Sequence, residues 1–485
     1  MKIPPFFFNP PAIIFSYSKP LVHGPTLNMT KATALALLVA VTFFMENLDA
    51  TVITTAIPQM AKEFSVSPVS LNIGISAYLL AVAIFIPISG WLADRFGART
   101  IFTAAILIFT FASILCGLSQ DLMLFTLSRI LQGIGGALMV PVGRMVVLRV
   151  TEKKDMVKTI AFITWPGLIA PVIGPLLGGM IVSYGHWPWI FWLNIPLGIV
   201  AIIVTLYLMP QFKAEEKRQF DVKGFLLISS TCTLIIIAIE CMGGLSMSLG
   251  ILLLALGVVC SLLAWRHSLQ HATPLLSLSM LRIPTFRSAV VGGSFFRVSI
   301  NAIPFLLPLL FQLSFGWSAA QAGSMVLWVF AGNLAMKPAT TWLMFRFGFK
   351  RILFLNGVLS VLSILSCLFI TPAQGYLLIA AILFIGGLSR SLQFSCYNSM
   401  GFADVPREKL SEASVIFSIL FQFSMSLGIA ISAMILRFSM QLAGQTSPSH
   451  QDIHIAFAAI AVLVVMSLVD VWRLEKNAGE KVLAR

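Results

Sequence analysis

Two carboxylates stand three residues apart, Glu46 and Asp49, inside a long apolar run, so a helix through that run carries both on one face. Acids in hydrocarbon are costly and functional by default, and a close, partly desolvated pair suits the uptake of a proton on one side of a membrane and its release on the other. A structural ion pair with Arg129 or Arg297 is the alternative for the same residues. Six cations also fall within apolar runs: Arg129, Arg144, Arg297, Lys337, Arg390 and Arg437. Arg144 and Arg437 lie near the ends of their runs, where a long side chain snorkels to the interface. The other four are deeper, and each costs about 2.5–3.5 kcal/mol at a helix centre, so each requires a partner, a wet cavity or a function. Arg297, Lys337 and Arg390 all belong to the second half, where they predict a positive wall in a substrate cavity; arginine there would grip a carboxylate bidentately.

Other chemistries have no support. No GxxxxGK[ST] phosphate loop is present, so energy must come from a gradient. The six cysteines lie in apolar segments without CxxC spacing and read as lone apolar side chains. His450, Asp452 and His454 have metal-like spacing but no further ligand, and a solvated turn is expected there. The remaining histidines sit in the leader, in loops or at the ends of apolar runs, so no catalytic triad, metal site or cofactor is expected, and no enzyme. The formal charge of +14 comes in twos and threes between apolar runs, with no basic stripe for nucleic acid.

The elements that must hold these residues are membrane helices. With 58% hydrophobic and 10% charged residues in 485, the chain is far from soluble composition. Cutting it at charged or Pro/Gly turns gives fourteen segments of spanning length, roughly 33–57, 71–93, 101–119, 122–148, 158–183, 188–209, 223–243, 247–265, 288–313, 318–344, 352–371, 375–399, 412–438 and 454–472. An even number puts both termini on one side. The loops and tails of that side hold 23 Lys and Arg against Lys62 alone on the other, which predicts cytoplasmic termini. Residues 1–28, Pro-broken and too short to span, read as a disordered or untranslated leader, with Met29 as the true start.

A phrase repeats: Trp91-Leu92-Ala93-Asp94-Arg95-Phe96-Gly97 returns 251 positions later as Trp342-Leu343-Met344-Phe345-Arg346-Phe347-Gly348, and Gly135-Gly136 returns as Gly386-Gly387 at the same offset. Spans 2 and 4 are thereby equated with spans 10 and 12. The expected organisation is a six-helix bundle over 29–210, a linker with inserted spans 7 and 8 over 211–266, a linker over 267–287, a second bundle over 288–472 and a tail over 473–485. The offset separates Arg390 from Arg129, and Phe345 removes from the second copy the acid that Asp94 supplies to the first.

Together these residues resemble a known family. Gly90-Trp91-Leu92-Ala93-Asp94-Arg95-Phe96-Gly97-Ala98-Arg99 is similar to the signature between helices 2 and 3 of the major facilitator superfamily, and Leu127-Ser128-Arg129-Ile130-Leu131-Gln132-Gly133 to its helix 4 motif. Gly174-Pro175-Leu176-Leu177-Gly178-Gly179 resembles the helix 5 motif of its antiporters, and Leu48-Asp49-Ala50-Thr51-Val52 the helix 1 motif of its fourteen-helix drug:proton antiporters. The resemblance implies an all-α polytopic fold of two six-helix bundles plus two inserted helices, and proton-driven export by alternating access from a bacterial inner membrane. Asp49 would then exchange the proton, joined by Glu46, and Arg129 would tune or relay it. Gly90, Asp94, Arg95, Gly97 and Arg99 would form a cytoplasmic latch, and Gly174, Pro175, Gly178 and Gly179 a compliant seam. The expected partners are a small-molecule substrate, protons and lipid; a periplasmic adaptor stays open. Two substrate readings stand beside each other, amphipathic drugs including cations and an anionic metabolite such as a carboxylate or metal chelate; a non-transporting sensor is the third.

Overall fold

The computed structural model describes residues 29–485 except 152–154, 214–219, 245, 272–273, 277, 407–408, 446, 476–477 and 480–485. The expected leader and several loop cations of the charge count lie outside the described residues. Fourteen helices are long and apolar enough to cross a membrane, and they are numbered here as spans 1–14: Thr33–Thr55, Pro68–Phe96, Ala98–Leu118, Leu122–Val150, Phe162–Tyr184, Trp189–Leu208, Val222–Gly244, Met247–Gln270, Pro284–Ser314, Ala319–Phe347, Phe349–Phe369, Tyr376–Ala403, Glu412–Leu442 and His450–Trp472. The chain is thus an all-α polytopic membrane protein. The side shared by the start of span 1 and the end of span 14 is called the tail side, and the opposite one the far side.

Local sequence explains the breaks. Gly97 (φ 98°) and Gly348 (φ 73°) close spans 2 and 10 in a backbone region that L side chains avoid, which is why both copies of the repeated phrase end in glycine. Asp121 caps span 4 by accepting from the Leu124 amide at 2.8 Å, and Ser318 with Gln321 forms a capping box on span 10. Ser449 and Asp452 do the same for span 14. Asp452 is buried by this bonding, so the expected solvated turn is instead a helix start. Asp221 at the head of span 7 accepts from the Gly224 amide at 2.8 Å, the Leu275 amide at 3.0 Å and His267 Nε2 at 2.8 Å. Burial raises its carboxyl, but these donors outweigh that and hold it below the usual carboxylate range. Asp221, His267 and His271 bring donor atoms within 4.8 Å of one another; with its oxygens already accepting from three donors, Asp221 reads as a clip across the inserted pair.

Spans 1–6 pack around one another, as do spans 9–14. The two groups meet where span 5 lies on span 10 and span 2 on span 13. These contacts are each other's image if span 2 corresponds to span 10 and span 5 to span 13, as a pseudo-two-fold requires. Span 7 packs on spans 2 and 13, over the seam, and span 8 packs on span 7.

The contacts correct one register. A side chain at Gly133 would strike the Tyr78 carbonyl, and one at Gly387 the Val329 carbonyl. Tyr78 and Val329 keep the 251 offset, so Gly133 corresponds to Gly387 and span 12 is displaced by three residues from the expected register. Span 3 agrees: Gly135 packs on Ala105 and Phe109, whereas Ser389 binds Asn356 and Ser360 at the corresponding places. The matching of Gly135-Gly136 with Gly386-Gly387 is therefore a coincidence of letters. Arg129 and Arg390 stay non-equivalent.

Span 5 is glycine-lined because backbones touch there. A Cβ on Gly178 would meet the Val52 carbonyl and Thr55 Oγ1, and on Gly179 the Ala319 carbonyl across the bundle interface. Gly178→Leu is expected to destabilise the protein by about 1–3 kcal/mol through overpacking, read as a lowered Tm of purified protein in detergent; an unchanged Tm would show that this seam is loose.

Candidate functional site

Span 1 delivers Asp49 into the interior of the first bundle, where it is closed off from solvent. Arg129 NH1 of span 4 donates to Asp49 Oδ2 at 2.5 Å with both side chains 0% exposed. Gln132 Nε2 and Asn194 Nδ2 donate to Asp49 Oδ1 at 2.8 and 3.0 Å. Gln132 also donates to Ser113 Oγ at 2.9 Å and accepts from Arg129 at 2.6 Å. Spans 1, 3, 4 and 6 are thus tied by one polar knot. Its charges are opposite, which is what a low-dielectric interior demands, while Arg129 Nε and NH2 have no hydrogen-bond partner among the described residues and the guanidinium lies instead on the Tyr78 ring. Gln132, Asn194 and Ser113 were not singled out from the sequence; the i, i+3 spacing of Arg129 and Gln132 was the available signal.

Glu46 has a different setting. It is half-buried, and its Oε2 has no hydrogen-bond partner among the described residues. Gly136 of span 4 leaves room beside it: a Cβ there would stand 3.3 Å from the Tyr78 hydroxyl and 3.7 Å from Glu46 Cγ. The Tyr78 ring lies 4.2 Å from the Arg129 guanidinium carbon. Tyr78 thus lies between Glu46 and the sealed ion pair, its hydroxyl without a hydrogen-bond partner among the described residues; sequence reading missed it because one tyrosine in an apolar run is unremarkable. Arg144 is exposed, with its guanidinium 5.0 Å from the Phe43 ring.

The second bundle holds three deep cations that form no ion pair among the described residues. Arg297 is 1% exposed, donates to the Ala289 carbonyl at 3.1 Å and lies 4.6 Å from the Phe417 ring. Arg390 donates to Asn301 Oδ1 at 3.2 Å beside Phe330, and Lys337 donates to Ser395 Oγ at 3.1 Å beside Phe394. NH1 of Arg297 and of Arg390 lacks a hydrogen-bond partner among the described residues. Phe394 and Phe421, with centroids 5.4 Å apart, stand between Lys337 and Arg297. A small cavity of about 20 Å³ near Arg390 is lined by Ile300, Val329, Ser360 and Leu383. It has room for about one water.

On the tail side, Asp94 pairs with Arg149 of its own bundle at 3.3 Å. Arg95 stacks on Trp91 and Phe96, the Arg99 amide donates to Gln211 at 2.9 Å, and Gly90 faces open space. On the far side the bundles are joined directly. Gln312 donates to the Thr55 carbonyl at 3.1 Å, the Ala320 amide to Ser183 Oγ at 3.0 Å, and Ser426 Oγ to the Ser76 carbonyl at 2.9 Å. Gly323 packs on the Pro175 carbonyl. Arg437 does not snorkel: it pairs with Glu240 of span 7 and donates to Asn72 Oδ1 at 2.9 Å. Bundles tied on the far side, with Asp94 turned to its own bundle, describe a state closed there.

Residues 39–429 match the Major Facilitator Superfamily. The chain is 35% identical over 452 residues to a protein named for multidrug resistance, MdtD, of Salmonella heidelberg (strain SL476), covering 92% of this chain and 96% of that one. It is 36% identical over 454 residues to the MdtD of Klebsiella pneumoniae (strain 342), at the same coverages. Among solved structures it is similar to a D-xylose-proton symporter, with a TM-score of 0.66 at 15% identity over 92% of this chain and 99% of that one. It is also similar to a bacterial homolog of the human lysosomal transporter Spinster in an inward-facing, unoccupied conformation, with a TM-score of 0.65 at 15% identity over 94% and 98%.

Removing Asp49 leaves Arg129 buried and unpaired. Asp49→Ala is expected to cost about 3–5 kcal/mol of stability, and adding Arg129→Met to restore most of it; a double variant as unstable as the single, by thermal melting in detergent, would deny that the pair is isolated and charge-matched.

Proposed function

Because the chain belongs to the Major Facilitator Superfamily and is a transporter, not an enzyme, we propose that it is a proton-coupled exporter of small organic compounds working by alternating access. The observation that carries this reading is a carboxylate without a hydrogen-bond partner on one oxygen beside a carboxylate held in an ion pair. Glu46 offers a buried oxygen without a donor, Tyr78 stands next to it, and Asp49 waits behind Arg129.

The excess of Lys and Arg supports a cytoplasmic tail side, with both termini there, in the inner membrane of a bacterium. The state described above then opens inward. An amphipathic compound arriving from the cytoplasm competes with the proton on Glu46, which leaves to the cytoplasm. Once the bundles rock, the far side opens, the compound departs and a proton from outside takes its place. Arg129 compensates Asp49 while the pair is sealed and releases it when a proton arrives, so that the two carboxylates and Tyr78 act as one exchange site. Asp94, Arg95 and Arg99 engage the second bundle only in the outward-facing state. Multidrug naming of the relatives supports organic compounds as cargo.

A second reading has its own observation. Arg297, Lys337 and Arg390 form a cationic wall with aromatic neighbours, and none of the three is in an ion pair among the described residues. That wall fits an anionic cargo, a carboxylate or a metal chelate.

Everted vesicles with lumenal pH followed as compounds are added separate the two. Organic cations should release protons, and Glu46→Gln should lower that release by on the order of tenfold or more; full release from the variant would remove Glu46 from the mechanism. Under the second reading only carboxylates or chelates release protons, and Arg297→Ala with Lys337→Ala abolishes it.

A further inference from the structure

The inserted pair has a part in the far-side closure. Glu240, near the far end of span 7, is 8% exposed and touches both bundles. Its Oε1 accepts from Asn72 Nδ2 of span 2 at 2.5 Å, and its Oε2 is bound by Arg437 NH2 of span 13. Arg437 NH2 reaches on to Asn72 Oδ1 at 2.9 Å, and NH1 donates to the Glu240 carbonyl at 3.4 Å. One residue from each bundle and one from the insertion thus make a closed triangle. Asn72 is fully buried.

We propose that Glu240 is a positioning residue of the transport cycle, and that span 7 is a third jaw of the far-side gate which travels with the second bundle. The three sides of the triangle are unequal. Toward span 13, span 7 offers a charge pair, two hydrogen bonds from one guanidinium, and close packing: Gly243 lies against the Met434 backbone and Gly244 against Arg437. Ile236, Ile239 and Cys232 continue that contact with Ala430, Leu427 and Met434. Toward span 2 the far-side polar hold is one neutral amide, with Leu80 and Ile84 below it. A neutral amide separates from its partners more easily than an ion pair in a dry interior. Opening therefore breaks the Asn72 sides and keeps Glu240 with Arg437, and the insertion acts as a counterweight that favours the closed far side.

The inference rests on alternating access but on neither the proton nor the cargo. Its test uses the full chain in nanodiscs without substrate or gradient, so failure of proton coupling leaves it standing. In a background without native cysteines, Ser76→Cys, at the sealed seam, is labelled with a membrane-impermeant maleimide from the far side. Glu240→Gln should raise the labelling rate by on the order of tenfold, with a monodisperse protein of wild-type elution. Labelling at the parental rate in folded protein would overturn the gate. Spin labels at the far ends of spans 2, 7 and 13 test the jaw: the 7-to-13 distance should stay single while the 2-to-7 distance splits into two populations. The reverse pattern would assign the insertion to the first bundle.

Discussion

Charge in a hydrocarbon interior must be compensated on the spot, and the Asp49–Arg129 pair is where this protein meets that demand most fully. Spans 1, 3, 4 and 6 are held in one arrangement because Gln132 and Asn194 donate to Asp49 and both reach Ser113 behind it. Rigid packing follows from it. Glycines lie where these helices come close enough for the polar groups to reach, as at Gly135 on Phe109 and Gly198 on Thr110.

The halves solve the same problem in different ways. In the first, cation and anion cancel inside the bundle. In the second, Arg297 and Arg390 are buffered by carbonyls, amides and phenylalanine faces, so positive potential persists there. Duplication explains the scaffold, seen in the mirrored contacts of spans 5 and 10 with spans 13 and 2. It does not explain the sites, since Arg390 stands where the first half has Gly136 once the three-residue displacement of span 12 is included.

Span number, the terminating glycines and the deep ionisable residues were legible in the sequence because each depends on local composition. The knot around Asp49 was only half legible: the ion-pair alternative with Arg129 was visible, but Asn194 lies 145 residues from Asp49 and no local pattern connects them. Arg437 was misjudged for the same reason, since its partner Glu240 is 197 residues away. The span 12 register failed because two adjacent glycines are a weak marker, and only the carbonyls opposite them decide the alignment.

Span 8 touches chiefly span 7 and its own following turn, and most of its circumference is left to acyl chains. Its 24 residues make a rod of about 36 Å, of which the apolar stretch 247–265 is about 28 Å and matches a hydrocarbon slab of about 30 Å, with Arg266, His267 and Gln270 left to the tail-side surface. A thicker or thinner bilayer would strain that match, and among the described residues span 7 is the large surface that would take up the strain. A mismatched bilayer would thus press on span 7, and through it on Glu240, from outside both bundles and without any ligand.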